Sequence, residues 1–130
     1  MRYLVDTDWV IHYLNGDDNI CERLDRVRDD GVAVSIVTLA EVYEGISQSP
    51  DQTAEELAFL RLLGGFEVLG LRDDICKLFG FERARLRSAG TLIGDFDLLI
   101  GCTAVIHDLT VLTNNRRHFE RIADIELETA

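Results

Sequence analysis

Short apolar runs alternate along this chain with longer stretches in which apolar residues recur every three or four positions, the mark of strands exchanging with amphipathic helices. Tyr3-Leu4-Val5 reads as a buried strand and Thr7 to Leu14 as a helix closed by the turn residues Asn15-Gly16-Asp17. Ile20, Leu24 and Val27 hold helical spacing, and Arg28-Asp29-Asp30-Gly31 ends that helix ahead of the β-branched run Val32 to Val37. Thr38-Leu39-Ala40-Glu41 fits the capping box that opens a helix, which the pattern carries to about Ser47, before Pro50, the only proline. Thr53 to Leu63 is amphipathic and stops at Gly64-Gly65, and Phe66 to Leu69 looks like a strand. Arg72 to Ser88 is helical with Ile75, Leu78, Phe79 and Leu86 on its apolar side, and Asp97 to His107 is an apolar helix leading into the strand Thr110-Val111-Leu112. Asn114-Asn115 turns the chain into Arg116 to Arg121, and Ile125-Glu126-Leu127 suits a last edge strand. Strands separated by helices of this length predict an α/β fold, a parallel sheet with helices on both faces.

Length and composition narrow the class. With 130 residues, 47% of them hydrophobic, the chain matches one compact domain spanning 1–130 that needs no staples. Asp6 interrupts the first apolar run before the core of a signal peptide could form, and no stretch approaches the roughly 20 apolar residues of a membrane span. A soluble, cytoplasmic protein is expected. Cys21, Cys76 and Cys102 are odd in number and form no CxxC pair, which speaks against a disulfide framework or a thiolate zinc site. The formal net charge of −11 opposes polyanion binding over most of the surface. Arg83, Arg85 and Arg87, and again Arg116, Arg117 and Arg121, are local exceptions that solvated helix faces explain equally well.

The candidate chemistry lies in acids at junctions. Asp6 follows the first strand, Glu41 follows the second, and Asp95 and Asp97 precede the apolar run Leu98-Leu99-Ile100. Open α/β sheets bind ligands at such strand ends. Each acid taken alone has a structural explanation: Asp6 and Asp95 as helix caps, Glu41 as the far half of the capping box with Thr38. Capping does not explain why three junctions carry an acid with room to converge. Carboxylates gathered there repel one another unless a cation sits among them, and a set with no His suits Mg²⁺ or Mn²⁺. The matching reaction is phosphodiester cleavage by a metal-activated water. His12, His107 and His118 form no ligand set, and Ser35 and Cys102 lack the context of an acyl-transfer nucleophile.

Four blocks carry a resemblance that covers the whole chain: Tyr-Leu-Val-Asp6-Thr-Asp, Val-Ser-Ile-Val-Thr-Leu-Ala-Glu41-Val-Tyr-Glu-Gly, Ile-Gly-Asp-Phe-Asp97-Leu-Leu-Ile-Gly-Cys-Thr-Ala and Val-Leu-Thr-Asn-Asn115-Arg-Arg-His-Phe. In order and spacing they resemble the four motifs of PIN-domain ribonucleases, in particular the VapC-type toxins of prokaryotic toxin-antitoxin systems. The resemblance implies a three-layer α/β/α sandwich with a central, mainly parallel sheet. It also implies a Mg²⁺- or Mn²⁺-dependent endoribonuclease acting on RNA, frequent homodimers, and inhibition by a cognate VapB-like antitoxin. Asp6, Glu41 and Asp97 match the family's first three acids, with Asp6 and Asp97 the expected direct metal ligands and Asp95 an assisting residue. The fourth motif departs from the strictest form, with Asn115 where many relatives have aspartate and His118 where an acid is common. Asn115 is open to two readings, a site residue bonding a metal-bound water or a plain helix N-cap. Thr7 and Thr113 could place hydroxyls near the acids, though capping and turn roles explain them too.

Two other functions compete. Asp6-Thr7-Asp8 after a strand resembles the Asp-x-Asp of haloacid-dehalogenase phosphatases, but that chemistry needs a lysine near the phosphate, the sole Lys77 falls inside a helix, and Glu41 would have no role. Asp8 is better read as a first-turn residue favoured by the helix dipole. A non-catalytic domain binding RNA or protein through the same groove is the other alternative.

Overall fold

The computed structural model describes residues 1–130. Five strands, β1 (Tyr3–Val5), β2 (Val32–Ser35), β3 (Glu67–Leu69), β4 (Thr110–Leu112) and β5 (Glu126–Glu128), form one sheet in the order β3-β2-β1-β4-β5, with every pairing parallel. Seven α-helices connect them: α1 (Thr7–Leu14), α2 (Asp18–Val27), α3 (Ile36–Ser47), α4 (Gln52–Leu63), α5 (Asp73–Ser88), α6 (Asp95–His107) and α7 (Arg116–Phe119). The expected α/β/α sandwich with a central parallel sheet is therefore the observed one. No helix is long and apolar enough to cross a membrane.

Strand alternation divides the core. Tyr3 and Val5 face one side of the sheet with Val32, Val34, Trp9, Leu24, Phe59 and Leu62, while Leu4 faces the other with Ala33, Val111, Ile75, Leu86, Ile100 and Phe119. Helices α1, α2 and α4 cover the first face, and α5, α6 and α7 the second. Gly101 lets α6 lie close to the segment after α7, since a Cβ there would fall 2.2 Å from Ile122 Cδ1. Gly31, at φ +89°, turns the chain into β2.

Several boundaries differ from the expected ones for a physical reason. The second strand stops at Ser35, two residues short of Val37, because the Ser35 hydroxyl accepts from the Val37 N–H at 3.0 Å and starts α3 there. The Thr38–Glu41 capping box consequently does not form, and both side chains are released for tertiary bonds. Helix α6 starts at Asp95 rather than Asp97, with Gly94 at the cap position and no side-chain cap. The last helix ends at Phe119 and the last strand lies at Glu126–Glu128, one residue beyond the expected run.

The strand order reverses direction between β1 and β4: the chain steps outward from β1 to β2 to β3 and then returns to the other flank of β1. Ligand crevices of open α/β sheets lie at this switch, beyond the carboxyl ends of the strands. Asp6 directly follows β1 and Thr113 directly follows β4, so the switch brings both residues to the same edge.

Candidate active site at the carboxyl edge of the sheet

Asp6 caps α1 through its Oδ1, which accepts from the Thr7 N–H at 2.8 Å, and its Oδ2 accepts from the Thr113 hydroxyl at 2.7 Å. It is 3% exposed. Burial above all pushes its carboxyl from 3.8 up to about 8; the charges of Asp8 and Asp97 push the same way, while the Thr113 hydroxyl and Thr7 N–H oppose them. Glu41 projects from the second turn of α3 and accepts from the Thr7 hydroxyl at 2.7 Å. Its carboxyl is raised as well, first by burial and then by Asp97 and Glu44, with the Thr7 bond opposing. Asp97, in the first turn of α6, thus presses electrostatically on both Asp6 and Glu41, and the three acids expected from three junctions share one site.

The fourth block joins them through its side chains. Asn115 sits at the cap position of α7 yet makes no capping bond; its Nδ2 is 3.0 Å from Asp97 Oδ2 and 3.0 Å from His118 Nδ1. His118 Nδ1 is also 3.3 Å from the same Asp97 oxygen. Of the two readings of Asn115, the side chain takes the direction of the site. Asp95 goes elsewhere: it is the partner of Arg83, whose Nε lies 2.8 Å from Asp95 Oδ1 in an exposed ion pair.

Three residues named in the sequence for other reasons also contribute to the site. Thr38 is fully buried, with its hydroxyl 2.9 Å from that of Thr7, so a two-hydroxyl chain supports Glu41. Asp8 keeps its first-turn role, accepting from the Trp9 N–H at 2.7 Å, and also holds the β4–α7 turn by accepting from the Asn114 N–H at 3.1 Å. His118, noted in the fourth block as standing where an acid is common, lies on Asp97.

No lysine or arginine pairs with Asp6, Glu41 or Asp97; within the two basic clusters Arg83 pairs with Asp95, Arg85 with Glu82 and Arg116 with Glu120. Lys77 pairs with Asp73 on α5, leaving the phosphatase-like alternative without its cation. A buried Asp6 and a partly buried Glu41, both raised by the charge of Asp97 with no internal counter-ion, fit a hard cation. No three His, Cys, Asp or Glu side chains are close enough to enclose an ion by themselves. The expected three-carboxylate cage is thus not preformed, and water would complete the coordination, as a cation such as Mg²⁺ tolerates. A pocket of about 230 Å³ is lined by Glu41 and Glu55 together with Ile11, Leu14, Val42 and Ile46; Glu41 is the one site acid on its wall.

Comparison with known proteins agrees with this geometry. The PIN domain family model matches residues 3–125. Ribonuclease VapC1 of Methanocaldococcus jannaschii is 33% identical over 127 residues, covering 98% of this chain and 85% of that protein. Ribonuclease VapC10 of Mycobacterium tuberculosis is 36% identical over 117 residues, 89% of this chain and 84% of that protein. Among solved structures, VapBC2 from Rickettsia felis bound to a DNA fragment from its promoter superposes with a TM-score of 0.93 at 27% identity, covering 100% of this chain and 99% of that one. DNA-bound VapBC from Salmonella typhimurium gives a TM-score of 0.92 at 28% identity, with 99% and 98% covered. With its acids at the topological switch of a five-stranded parallel sheet and its full length matched, the chain belongs to the PIN-domain family and to the VapC group within it.

Proposed function

We propose that this protein is an endoribonuclease, the toxin of a VapBC-type toxin-antitoxin pair, which hydrolyses RNA phosphodiester bonds with the help of a bound Mg²⁺ or Mn²⁺. The observation that carries the reading is the convergence of Asp6, Glu41 and Asp97, from three different β-to-α junctions, on one site with no lysine or arginine to neutralise them.

In this reading Asp6 and Asp97 hold the cation, and Glu41, fixed by Thr7 and Thr38, is the third acid. When bound, the cation would activate water for attack and offset negative charge on the scissile phosphate. Asp6 is kept in place at both oxygens, so its orientation survives the approach of a polyanion. Asn115 donates to Asp97 and keeps that carboxylate turned toward the site. Asp95, on the same first turn as Asp97, is held by Arg83 in an exposed ion pair and takes no part in holding the cation in this reading.

The partner is a basic, partly apolar VapB-like segment. The groove beside Glu41 takes its apolar side chains, and the negative potential of the site, within a chain of net charge −11, attracts its cationic ones. An arginine that reached the carboxylates would displace the cation and silence the enzyme. Phe81 and Phe96, 68% and 51% exposed, suit burial in a homodimer.

The test incubates purified protein and its Asp97→Asn variant with structured cellular RNAs in Mg²⁺, in Mn²⁺ and in EDTA. Cleavage that needs both the metal and Asp97 is expected. Equal cleavage by the variant, or cleavage undiminished in EDTA, would refute the assignment.

A further inference from the structure

We propose that Asn114 is a positioning residue for RNA cleavage: its side-chain oxygen ties the turn that orients Asp6 and Asp97 to the Trp9 indole on α1 and to the main chain beyond β5. The inference rests on the nuclease reading above and concerns what holds the acids of that site in register.

Thr113, Asn114 and Asn115 join β4 to α7, and from this one turn the chain grips two site acids. The Thr113 hydroxyl donates to Asp6 Oδ2 at 2.7 Å and the Asn115 amide to Asp97 Oδ2 at 3.0 Å. The Asn115 N–H donates to the Thr113 hydroxyl at 2.9 Å, so any shift of the turn disturbs both grips together. Three residues of irregular backbone have no ladder of their own to fix them. One flank is held by the Thr113 N–H, which donates to the Glu128 carbonyl of β5 at 3.0 Å. Asn114 fixes the other. Its N–H donates to Asp8 Oδ2 at 3.1 Å, and its Oδ1 accepts from the Trp9 indole N–H at 3.0 Å and from the Ala130 N–H at 3.1 Å.

The direction of control follows from burial. Trp9 is 1% exposed and belongs to the core cluster of Val5, Leu24 and Phe59, whereas Asn114 is exposed. Close packing fixes the ring, so the ring anchors the turn rather than the reverse. An indole N–H can only donate, and Asn114 Oδ1 is its one acceptor. A second link runs in parallel: the Arg23 guanidinium of α2 lies 5.9 Å from the Trp9 ring centroid, and its Nη2 is 3.8 Å from Glu128 Oε2. The joining of α1 to β5 therefore has support besides Asn114, while the aim of Thr113 and Asn115 depends on it. Asn114 uses only the oxygen of its amide, so aspartate in its place would keep both acceptor contacts and alanine would lose both.

The experiment measures single-turnover cleavage of a trace pool of structured cellular RNAs by the full chain in Mg²⁺, over a range of protein concentrations. Salt at about 0.15 M damps long-range charge effects. Asn114→Ala is expected to lower the maximum rate about 10- to 100-fold, the scale of a small misplacement of reacting groups, with the half-saturating concentration little changed. Asn114→Asp should recover most of that rate. Trp9→Phe keeps a packed ring and removes the donor; it should lower the rate less than Asn114→Ala, and W9F/N114A should be no slower than Asn114→Ala alone. Trp9 is the sole tryptophan, so its one indole N–H resonance in NMR reports the bond directly. That resonance should shift in Asn114→Ala and return toward its wild-type position in Asn114→Asp. If circular dichroism finds Asn114→Ala unfolded, Trp9→Phe carries the test, and an unchanged rate there overturns the role. Wild-type rates in folded Asn114→Ala, an equal fall in Asn114→Asp, or a loss confined to the half-saturating concentration would overturn the positioning role and leave the nuclease reading standing. Wild-type protein that cleaves no RNA in Mg²⁺ or Mn²⁺ would overturn both.

Discussion

Replacing Asp6 by Asn should make the metal-free protein more stable, although the same change is expected to abolish its activity. The magnitude follows from the burial of that carboxyl. Moving its pKa from 3.8 to about 8, at about 1.4 kcal/mol per pH unit, makes the ionised form cost the fold about 6 kcal/mol once the pH exceeds the folded value. The native state binds a proton that the unfolded chain has already released, so this acid leaves stability untouched below pH 4. Stability is then lost progressively as the pH climbs from about 4 to about 8, with no further change above that. Asn carries no charge and escapes the penalty. It remains a good N-cap for α1, and its NH₂ can donate to the Thr113 hydroxyl that formerly donated to Asp6. Allowing about 1–2 kcal/mol for imperfect hydrogen bonds and some relaxation of Asp8 and Asp97, the net gain should be about 2–4 kcal/mol at pH 8.5 and near zero at pH 4.5. Urea unfolding in EDTA at the two pH values, on wild type and Asp6→Asn, measures it. Glu41 is displaced in the same direction and depresses both proteins alike, so the difference between them isolates Asp6. Mg²⁺ should close the gap: a ligand at 1,000 times its Kd adds about 4.1 kcal/mol to the protein that binds it, and the variant should gain far less. A variant that is no more stable than wild type at pH 8.5 in EDTA, or two proteins with the same pH slope, would refute the electrostatic reasoning.

Two further outcomes are expected. Thr7→Val removes the hydroxyl that donates to Glu41 and leaves the buried Thr38 hydroxyl without its partner, which should cost about 1–3 kcal/mol of stability by urea unfolding and lower RNA cleavage at least tenfold with little change in RNA binding; wild-type cleavage would show that Glu41 does not depend on Thr7. Glu82→Gln breaks a charge pair in which Glu82 is 2% exposed, accepts from Arg85 at 3.0 and 2.6 Å and takes the Ala123 N–H at 3.2 Å, so melting should fall by about 5–10 °C at pH 7. Because Arg85 holds the Glu82 carboxyl below its usual 4.5, the stability it supplies is present above that value and lost as the pH falls below it, and the deficit of the variant should therefore shrink in acid.

Alternation of strand and helix was legible because each burial pattern has its own period. The sheet edge was legible because turns and caps use few residue types. What stayed hidden was the partner of each polar side chain. Thr38 and Glu41, three residues apart, satisfy the capping box on paper, and only the competing Ser35 cap, which starts α3 earlier, frees them to meet Thr7 from another helix. Asp95 reads as a cap by position but lies within reach of Arg83, twelve residues back on α5. Glu82 reads as one more solvated helical acid, and nothing nearby in the chain announces that the segment after α7 covers it.

The same reasoning explains why the site acids are both visible and ambiguous in the sequence. A carboxylate at the start of a helix is favoured whether or not it does chemistry, because unpaired N–H groups and the helix dipole welcome it. Asp6 accepts that stabilisation, with an N–H bond at 2.8 Å, and is nonetheless driven far above its ordinary pKa, so the helix end does not offset burial beside two other acids. Asp97 gains from the first turn of α6 and pushes both of its neighbours upward. Local capping thus places each charge, and tertiary convergence turns the placements into a net electrostatic cost that no internal cation relieves. A chain selected only for stability would have exchanged these acids for neutral caps. Their joint presence at one edge of the sheet is the electrostatic cost that the proposed cation would relieve.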